Sequence, residues 1–159
     1  MKRIARFEHV SNKQFAEAFG TRVPALPPLP RRATAGSAGY DFFTPCDIRL
    51  APGETAKIPT GVRVRMEDGW VLQIYPRSGL GFSYRLQLNN TVGIIDSDYY
   101  HSDNEGHIFI KITNDSNEGK VLQLQAGDAF AQGIFVEFGI TEDDNATAIR
   151  NGGLGSTSR

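Results

Sequence analysis

Short apolar strands separated by turn residues constrain the fold of this chain more than any other feature of its sequence. Beyond Gly39, apolar and polar residues alternate at every second position in segments 62–66, 108–112 and 122–125. Glycine, proline, asparagine or aspartate occurs in each of the intervening turns, at 51–53, 67–69, 114–119 and 126–128. This pattern gives roughly ten strands at intervals of about 8–12 residues, which predicts an all-β sandwich, jelly roll or barrel.

The composition favours one globular domain and excludes several classes of protein. The 159 residues include 17 glycines and 8 prolines, and the formal net charge is −1. A nearly neutral chain without a basic block is a poor candidate for direct nucleic-acid binding. The single cysteine, Cys46, excludes an internal disulfide and a cysteine-rich zinc site. Because no apolar run approaches the ~18 residues that span a membrane, and no secretory signal is visible, we expect a cytoplasmic protein without membrane contact.

One helix is predicted near the start of the chain, over about residues 11–19. Ser11 can cap this helix, Gln14 three residues later completes a capping box, and Gly20 ends it. The proline-rich segment 24–30 then forms an extended connector.

The opposite end of the chain is rich in glycine and poor in apolar residues. We therefore predict one β domain over residues 1–149 and a mobile C-terminal arm over residues 150–159. Arg150 at the start of this arm has a cation that could close over a bound anion. The alternative is a terminus with no defined structure.

Segment 35–41 is more specialised than a plain turn. Its small residues allow another group to approach the backbone closely, and it ends at the carboxylate of Asp41. A loop before an edge strand is the alternative interpretation.

Segment 75–81 has the residue types of an anion site. Gly79 and Gly81 permit left-handed conformations in which successive N–H groups point in one direction. Arg77 adds a cation and Ser78 a hydroxyl, so the segment suits a phosphate. A strand-to-helix turn with a solvated arginine is the alternative.

Segment 90–99 is an apolar strand that continues into two carboxylates. At a period of two, Asp96 and Asp98 share one face of the strand, where they repel each other unless a cation, a water or a donor lies between them. Gly93 favours close approach of a ligand or of another backbone over a simple exposed strand end. Together the specialised segments indicate a phosphorylated ligand held with a divalent cation.

Five short motifs, in this order, resemble those of the homotrimeric dUTP pyrophosphatases, the dUTPases. They occupy residues 35–41, 76–80, 93–99, 127–132 and 152–157. The N-terminal helix and the loop 100–106 are most similar to dUTPases of Gram-positive bacteria and their phages.

The resemblance implies an all-β, dUTPase-like jelly roll or distorted β-barrel, with a short N-terminal helix and a glycine-rich C-terminal arm. It implies a homotrimer with active sites shared between subunits. The activity would be Mg²⁺-dependent hydrolysis of dUTP to dUMP and pyrophosphate, which limits uracil incorporation into DNA and supplies dUMP.

The resemblance also implies a role for individual residues. Asp96 matches the base that orients the attacking water, and Tyr99 matches the tyrosine that packs against deoxyribose. Asp41 would reach Mg²⁺ through water. The expected uracil-binding residues are Asn90, Gly93, Ile94, Ile95 and Phe109. The expected phosphate-binding and arm residues are Arg77, Ser78, Gly79, Gln132, Arg150, Leu154, Gly155 and Ser156.

Two alternatives stay open, and departures from the family pattern bear on one of them. Leu154 stands where an aromatic residue usually stacks on uracil, so we expect a looser lid. A dCTP deaminase of the same fold is one alternative, although that family uses a glutamate in the uracil hairpin. A phage-type dUTPase that also binds a phage or host repressor protein is the other, and the long loop 100–106 favours it.

Overall fold

The computed structural model describes residues 1–152, and the predicted all-β fold is confirmed. Two α-helices, α1 (Asn12–Glu17) and α2 (Ser78–Tyr84), and a 3₁₀ helix (Ser97–His101) interrupt the strands. The strands are β1 (Ala5–His9), β2 (Tyr40–Phe43), β3 (Ile48–Leu50), β4 (Thr55–Pro59), β5 (Val62–Met66), β6 (Trp70–Pro76), β7 (Leu86–Leu88), β8 (Gly93–Ile95), β9 (Phe109–Asn114), β10 (Leu122–Leu124) and β11 (Ala129–Glu137).

All strand pairs are antiparallel and form four small sheets. The largest has the order β2-β11-β6-β8, and a three-stranded sheet has the order β4-β9-β7. Two further pairs, β1-β5 and β10-β3, complete the fold. Within residues 1–152 these sheets stay open at their edges, as in a jelly roll. Strand β8 is consequently an edge strand, with outward main-chain groups that no neighbouring strand occupies.

The alternation seen in the sequence places one face of each strand in the core. In β5, Val62 and Val64 are buried whereas Arg63 and Arg65 are not. In β9, Ile110 and Ile112 point inward with exposures of 2% and 0%. Burying a side chain of this size stabilises a fold by roughly 1.5–3 kcal/mol, so these positions fix the register of each strand.

The N-terminal segment differs from the prediction in two ways. A strand that we did not predict, β1, pairs with β5 and places Phe7 opposite Val64. Ser11 caps α1 as expected, because its hydroxyl accepts a hydrogen bond from the Gln14 N–H at 3.1 Å. The reciprocal bond of the capping box is made by another residue: the Glu105 carboxylate accepts from the main-chain N–H of Ser11 at 3.3 Å.

Helix α1 is shorter than predicted and ends at Glu17, ahead of the expected stop at Gly20. No helix within residues 1–152 combines the length and the apolar character needed to cross a bilayer.

Candidate active site

The structure divides the predicted site residues among three places along the four-stranded sheet. The first is a cleft of about 500 Å³, here called the Arg77 cleft. The second is a cleft of about 420 Å³ beside the β7–β8 turn, here called the hairpin cleft. The third, the carboxylate corner, lies directly after β8 and consists of Asp96, Asp98, Tyr99 and Arg150.

The Arg77 cleft brings together a cation, a carboxylate and an amide. Asp41 on β2 and Gln132 on β11 are cross-strand partners. The Arg77 guanidinium contacts the Asp41 carboxylate at 3.1 Å, and the Gln132 side chain donates to the carbonyl of Pro76 at 3.0 Å. Strand pairing therefore holds residues from three distant motifs on one surface.

The expected left-handed nest at Gly79 and Gly81 is wrong. Both glycines lie inside α2, and neither has a positive φ. Arg77 is the N-cap of this helix, and Ser78 and Gly79 follow as its first residues. Because first-turn N–H groups have no partner within a helix, main-chain donors still occur here, although the helix start and not a nest supplies them.

The hairpin cleft collects the residues expected to bind uracil. Asn90, Gly93, Ile94, Ile95 and Phe109 all line it. The apolar strand after the turn was predicted, whereas β7 before it was not. The tight turn between the two strands contains Thr91, whose φ is +69°. Positive φ is unusual for a β-branched residue and makes this turn abrupt.

Gly93 is required by packing inside the subunit. A Cβ at this position would lie 3.0 Å from the Cβ of Ile74 on β6. The glycine therefore lets β8 pack closely against a side chain of the neighbouring strand β6. The sequence had suggested a ligand or another backbone as the close neighbour. Ile94 points outward with 52% exposure, whereas Ile95 is buried.

Two lysines in the hairpin cleft were missed from the sequence. Lys57 and Lys111 are cross-strand partners on β4 and β9, and both line the cleft. The Lys57 ammonium lies 4.7 Å from the centre of the Phe109 ring, a cation–π distance. In the sequence, each lysine is only a polar residue within a strand segment. The register of β4 against β9 is what brings the two lysine side chains together.

The carboxylate corner differs from the expected strand geometry. Strand β8 ends at Ile95, and Asp96 is the N-cap of the 3₁₀ helix that begins at Ser97. Asp96 and Asp98 therefore do not share a strand face. They share a cation instead: Arg150 donates to Asp96 at 2.5 Å through its terminal nitrogen and to Asp98 at 2.8 Å through Nε.

Tyr99 is held on the inner side of the 3₁₀ helix. Its hydroxyl donates to the carbonyl of His107 at 2.7 Å and accepts from the Asn104 amide at 2.8 Å. Burial raises the pKa of this phenol above its usual value. Tyr99 is 5% exposed, and its ring packs into the hydrophobic core.

The distance between the carboxylate corner and the Arg77 cleft can be judged along strand β6. Ile95 pairs with Leu72, which sets Asp96 beside Val71 at one end of β6. Arg77 follows Pro76 at the other end. The six residue steps from Val71 to Arg77 span about 20 Å of extended chain. Asp96 and the Arg77 cleft of one subunit are therefore far apart.

The predicted arm residues Leu154, Gly155 and Ser156 lie outside the described residues. Of the arm, the structure describes residues 150–152. The main-chain N–H of Asp103 donates to the carbonyl of Asn151 at 3.4 Å, and the Ser102 hydroxyl donates to the carbonyl of Gly152 at 3.3 Å.

A family model described as dUTPase matches residues 27–158. This chain belongs to the dUTPase family. Strand β1 and helix α1 precede the matched region of this dUTPase-family chain.

Curated relatives agree with the family model. The deoxyuridine 5'-triphosphate nucleotidohydrolase of Lactococcus lactis is 41% identical over 132 residues, covering 81% of this chain and 87% of the relative. An Escherichia coli protein of the same name is 39% identical over 140 residues, covering 83% of this chain and 88% of the relative.

Solved structures agree on the fold. The dUTPase of Streptococcus mutans superposes with a TM-score of 0.66 at 33% identity, over 86% of this chain and 98% of its own. A dUTPase of phage phi11 of Staphylococcus aureus has a TM-score of 0.67 at 22% identity, over 92% of this chain and 98% of its own.

Proposed function

We propose that this chain hydrolyses dUTP to dUMP and pyrophosphate. The observation that carries the proposal is the continuity of the hairpin cleft with the carboxylate corner. Gly93, Ile94 and Ile95 line the cleft, and the next residue is the carboxylate Asp96. A nucleobase bound in the cleft would therefore place its sugar and first phosphate beside Asp96.

The edge of β8 suits a uracil. Among residues 1–152, no strand pairs with the outer side of β8, so its outward N–H and C=O groups can bond the amide-like edge of a pyrimidine. Asn90 and Phe109 line the same cleft. Tyr99, packed against the deoxyribose, would leave a ribose 2'-hydroxyl without a partner, at a cost of roughly 1–3 kcal/mol.

The Arg77 cleft suits the phosphates. Arg77, the first residues of α2 and Gln132 supply charged and neutral donors. Asp41 supports Mg²⁺ binding, because this ion typically takes one or two carboxylates and completes its shell with water and substrate phosphates. When bound, Mg²⁺ would neutralise phosphate charge, and Asp41 would hold it through water.

Asp96 would take the proton of the attacking water. The water oxygen forms a bond to the α-phosphorus, the bond from that phosphorus to the bridging oxygen breaks, and pyrophosphate leaves. Arg150 now bonds one oxygen of this carboxylate, Oδ2, and the other oxygen can still accept from a water. On substrate binding, Arg150 would move from Asp96 to the phosphates. Its guanidinium would then be available to the γ-phosphate, where it compensates developing charge.

The separation along β6 supports a homotrimer with shared sites. Asp96 and the Arg77 cleft of one subunit are about 20 Å apart, and one bound triphosphate is too short to contact both. A second subunit that brings its Arg77 cleft to the carboxylate corner of the first would complete the site, and the rotational symmetry of a closed oligomer would repeat it.

The test is pyrophosphate release from dUTP in the presence of Mg²⁺ by the wild type and by Asp96→Asn. Losing a positioned base lowers turnover by at least ~10²-fold, whereas binding of a non-hydrolysable dUTP analogue persists. Asp143→Asn, an exposed carboxylate far along the chain, is the matched control and keeps wild-type turnover. Near-normal turnover by Asp96→Asn rejects Asp96 as the base.

Two alternatives receive less support. A dCTP deaminase would need a glutamate in the hairpin, and residues 89–96 contain none; ammonia release from dCTP would decide for it. A phage 80alpha dUTPase is described as controlling transfer of virulence genes, but at 21% identity that likeness concerns the fold alone. A repressor partner stays a prediction, tested by a pull-down with and without the dUTP analogue.

A further inference from the structure

The hydroxyl of Tyr99 has both of its hydrogen-bonding roles filled by the chain itself. It donates to the His107 carbonyl and accepts from the Asn104 amide. We propose that Asn104 is a specificity-determining residue, which fixes the Tyr99 ring so that the sugar pocket rejects a ribose 2'-hydroxyl. This inference rests on the proposed function, because it assigns Tyr99 to the sugar.

Asn104 is itself fixed in position. Its side-chain oxygen accepts from the Gly106 N–H at 3.2 Å, which leaves the amide NH₂ directed at Tyr99. Its carbonyl accepts from the His107 N–H at 3.1 Å. The turn 104–107 therefore supplies both partners of the Tyr99 hydroxyl as one unit.

The loop that contains Asn104 is tied to the body on one side by Tyr100. The Arg63 guanidinium lies 3.6 Å from the centre of the Tyr100 ring and also donates to the Tyr100 carbonyl at 2.9 Å. The Tyr100 hydroxyl donates to Glu8 at 2.7 Å. The start of the loop therefore cannot shift without breaking three contacts.

Glu105 ties the other side of the loop. Its carboxylate accepts from both the hydroxyl and the main-chain N–H of Ser11, at 2.8 Å and 3.3 Å. These bonds also cap helix α1, so the loop and the helix hold each other. Asn104 is thus positioned by β1, α1 and β5 together.

Core packing restricts the Tyr99 ring, and the two hydrogen bonds at its hydroxyl set the tilt within that space. With the Asn104 bond removed, only the bond to the His107 carbonyl holds the hydroxyl, and the ring can shift slightly. A tilted Tyr99 opens space beside C2' of the sugar. Only a ribonucleotide gains from that space, because a deoxyribose has no hydroxyl to place there. Removing the Asn104 donor therefore raises activity toward UTP relative to dUTP.

The experiment compares kcat/KM for dUTP and UTP in the wild type, Asn104→Leu and Asn104→Asp. The leucine variant removes donor and acceptor, and the aspartate variant keeps the acceptor for Gly106 while losing the donor. Both lower the preference for dUTP by about fivefold, the effect of one hydrogen bond between neutral groups. Asp103→Asn, next in the loop, keeps the wild-type preference.

A spectroscopic readout separates positioning from general damage. Hydrogen bonding from Asn104 lowers the pKa of the Tyr99 phenol, as does the charge of Arg150, against the larger effect of burial. Removing the amide in Asn104→Leu therefore raises the Tyr99 pKa further, measured by ¹³C NMR of labelled tyrosine with Tyr99→Phe for assignment. In a Tyr99→Phe background, the same substitution no longer changes the preference.

A parallel loss of kcat/KM for dUTP and UTP in both variants overturns the proposal, since a damaged fold lowers both rates alike. An unchanged preference overturns it as well. Failure of the proposed function is recognised separately, because the wild type itself would then release no pyrophosphate from dUTP.

Discussion

At the scale of single residues, His107 is the buried group with the clearest consequence for stability. Its side chain is fully buried, and Nε2 accepts the N–H of Gly61 at 2.9 Å. The proton of the neutral ring is therefore on Nδ1, which has no hydrogen-bond partner within residues 1–152. Burial lowers the pKa of His107 from 6.5 to about 4, although the charge of Glu105 opposes this.

This burial predicts a loss of stability in mild acid. Between pH 6.5 and about 4 the unfolded chain binds a proton at His107 that the folded chain does not, so the free energy of unfolding falls as pH falls. The loss is about 2 kcal/mol at pH 5. Urea unfolding at pH 7 and pH 5 measures it.

His107→Gln is the informative variant, because its amide oxygen can still accept from Gly61 but does not titrate. It loses this part of the pH dependence, and His101→Gln, at an exposed position, keeps it. Equal pH dependence in the wild type and in His107→Gln would exclude His107 as the cause.

Single residues also show what the sequence could and could not predict about the site. The residue types around Arg77 and Asp96 indicated a phosphorylated ligand and a cation, whereas the individual roles of Arg77 and Asp96 were implied only by the resemblance to the dUTPases. The pairing of both aspartates with Arg150 was not predictable from a period of two, because the strand ends before Asp98. Lys57 was missed because its role depends on strand register.

At the scale of elements, the loop after the 3₁₀ helix depends on Gly106. Its φ is +71°, and a Cβ there would lie 2.8 Å from the Cα of Tyr100 and from the carbonyl oxygen of Tyr99. Those atoms are main chain and cannot move aside without moving the segment that carries Tyr99.

Gly106→Ala is therefore expected to lower the free energy of unfolding by more than Gly119→Ala. Gly119 has a similar φ of +72° but open space around it, so its variant has only the conformational cost of roughly 1–2 kcal/mol. Thermal unfolding of both variants measures the difference. Equal destabilisation would mean that the loop relaxes around the new methyl group.

Elements with strong alternation were predicted, and elements without it were not. Strands β5, β9 and β10 follow from their apolar period. Helix α2 was considered only as an alternative, because two glycines lower the helix propensity of its seven residues. Strand β1 was missed because arginine, glutamate and histidine in segment 5–9 obscure the alternation.

At the scale of the whole molecule, the proposed site would be complete only where two subunits meet. Phe82 on α2 supports a subunit contact here, because this large apolar side chain is 92% exposed beside the Arg77 cleft. A single sequence specifies the residues of such a site but not which copies of them meet. The fold was therefore predictable to a greater extent than the assembled site.

Mixing two inactive variants tests the shared site. Arg77→Ala and Asp96→Asn each lack one half, and when they are unfolded and refolded together, random assembly gives about a quarter of the sites both intact halves. Pyrophosphate release by the mixture should approach that fraction of the wild-type rate. Each variant refolded alone is the control, and a mixture as inactive as its components would place both residues in one subunit.

The N-terminal segment lies ahead of the region that identifies the family, yet the interior depends on it. Val10 and Phe15 are 3% and 2% exposed, and the Phe7 ring packs against Phe42 with centres 5.7 Å apart. A chain truncated to begin at residue 27 would expose to water the apolar surface that these side chains now cover. Such a truncated chain would precipitate during expression, because the family-matched region alone does not cover its own apolar interior.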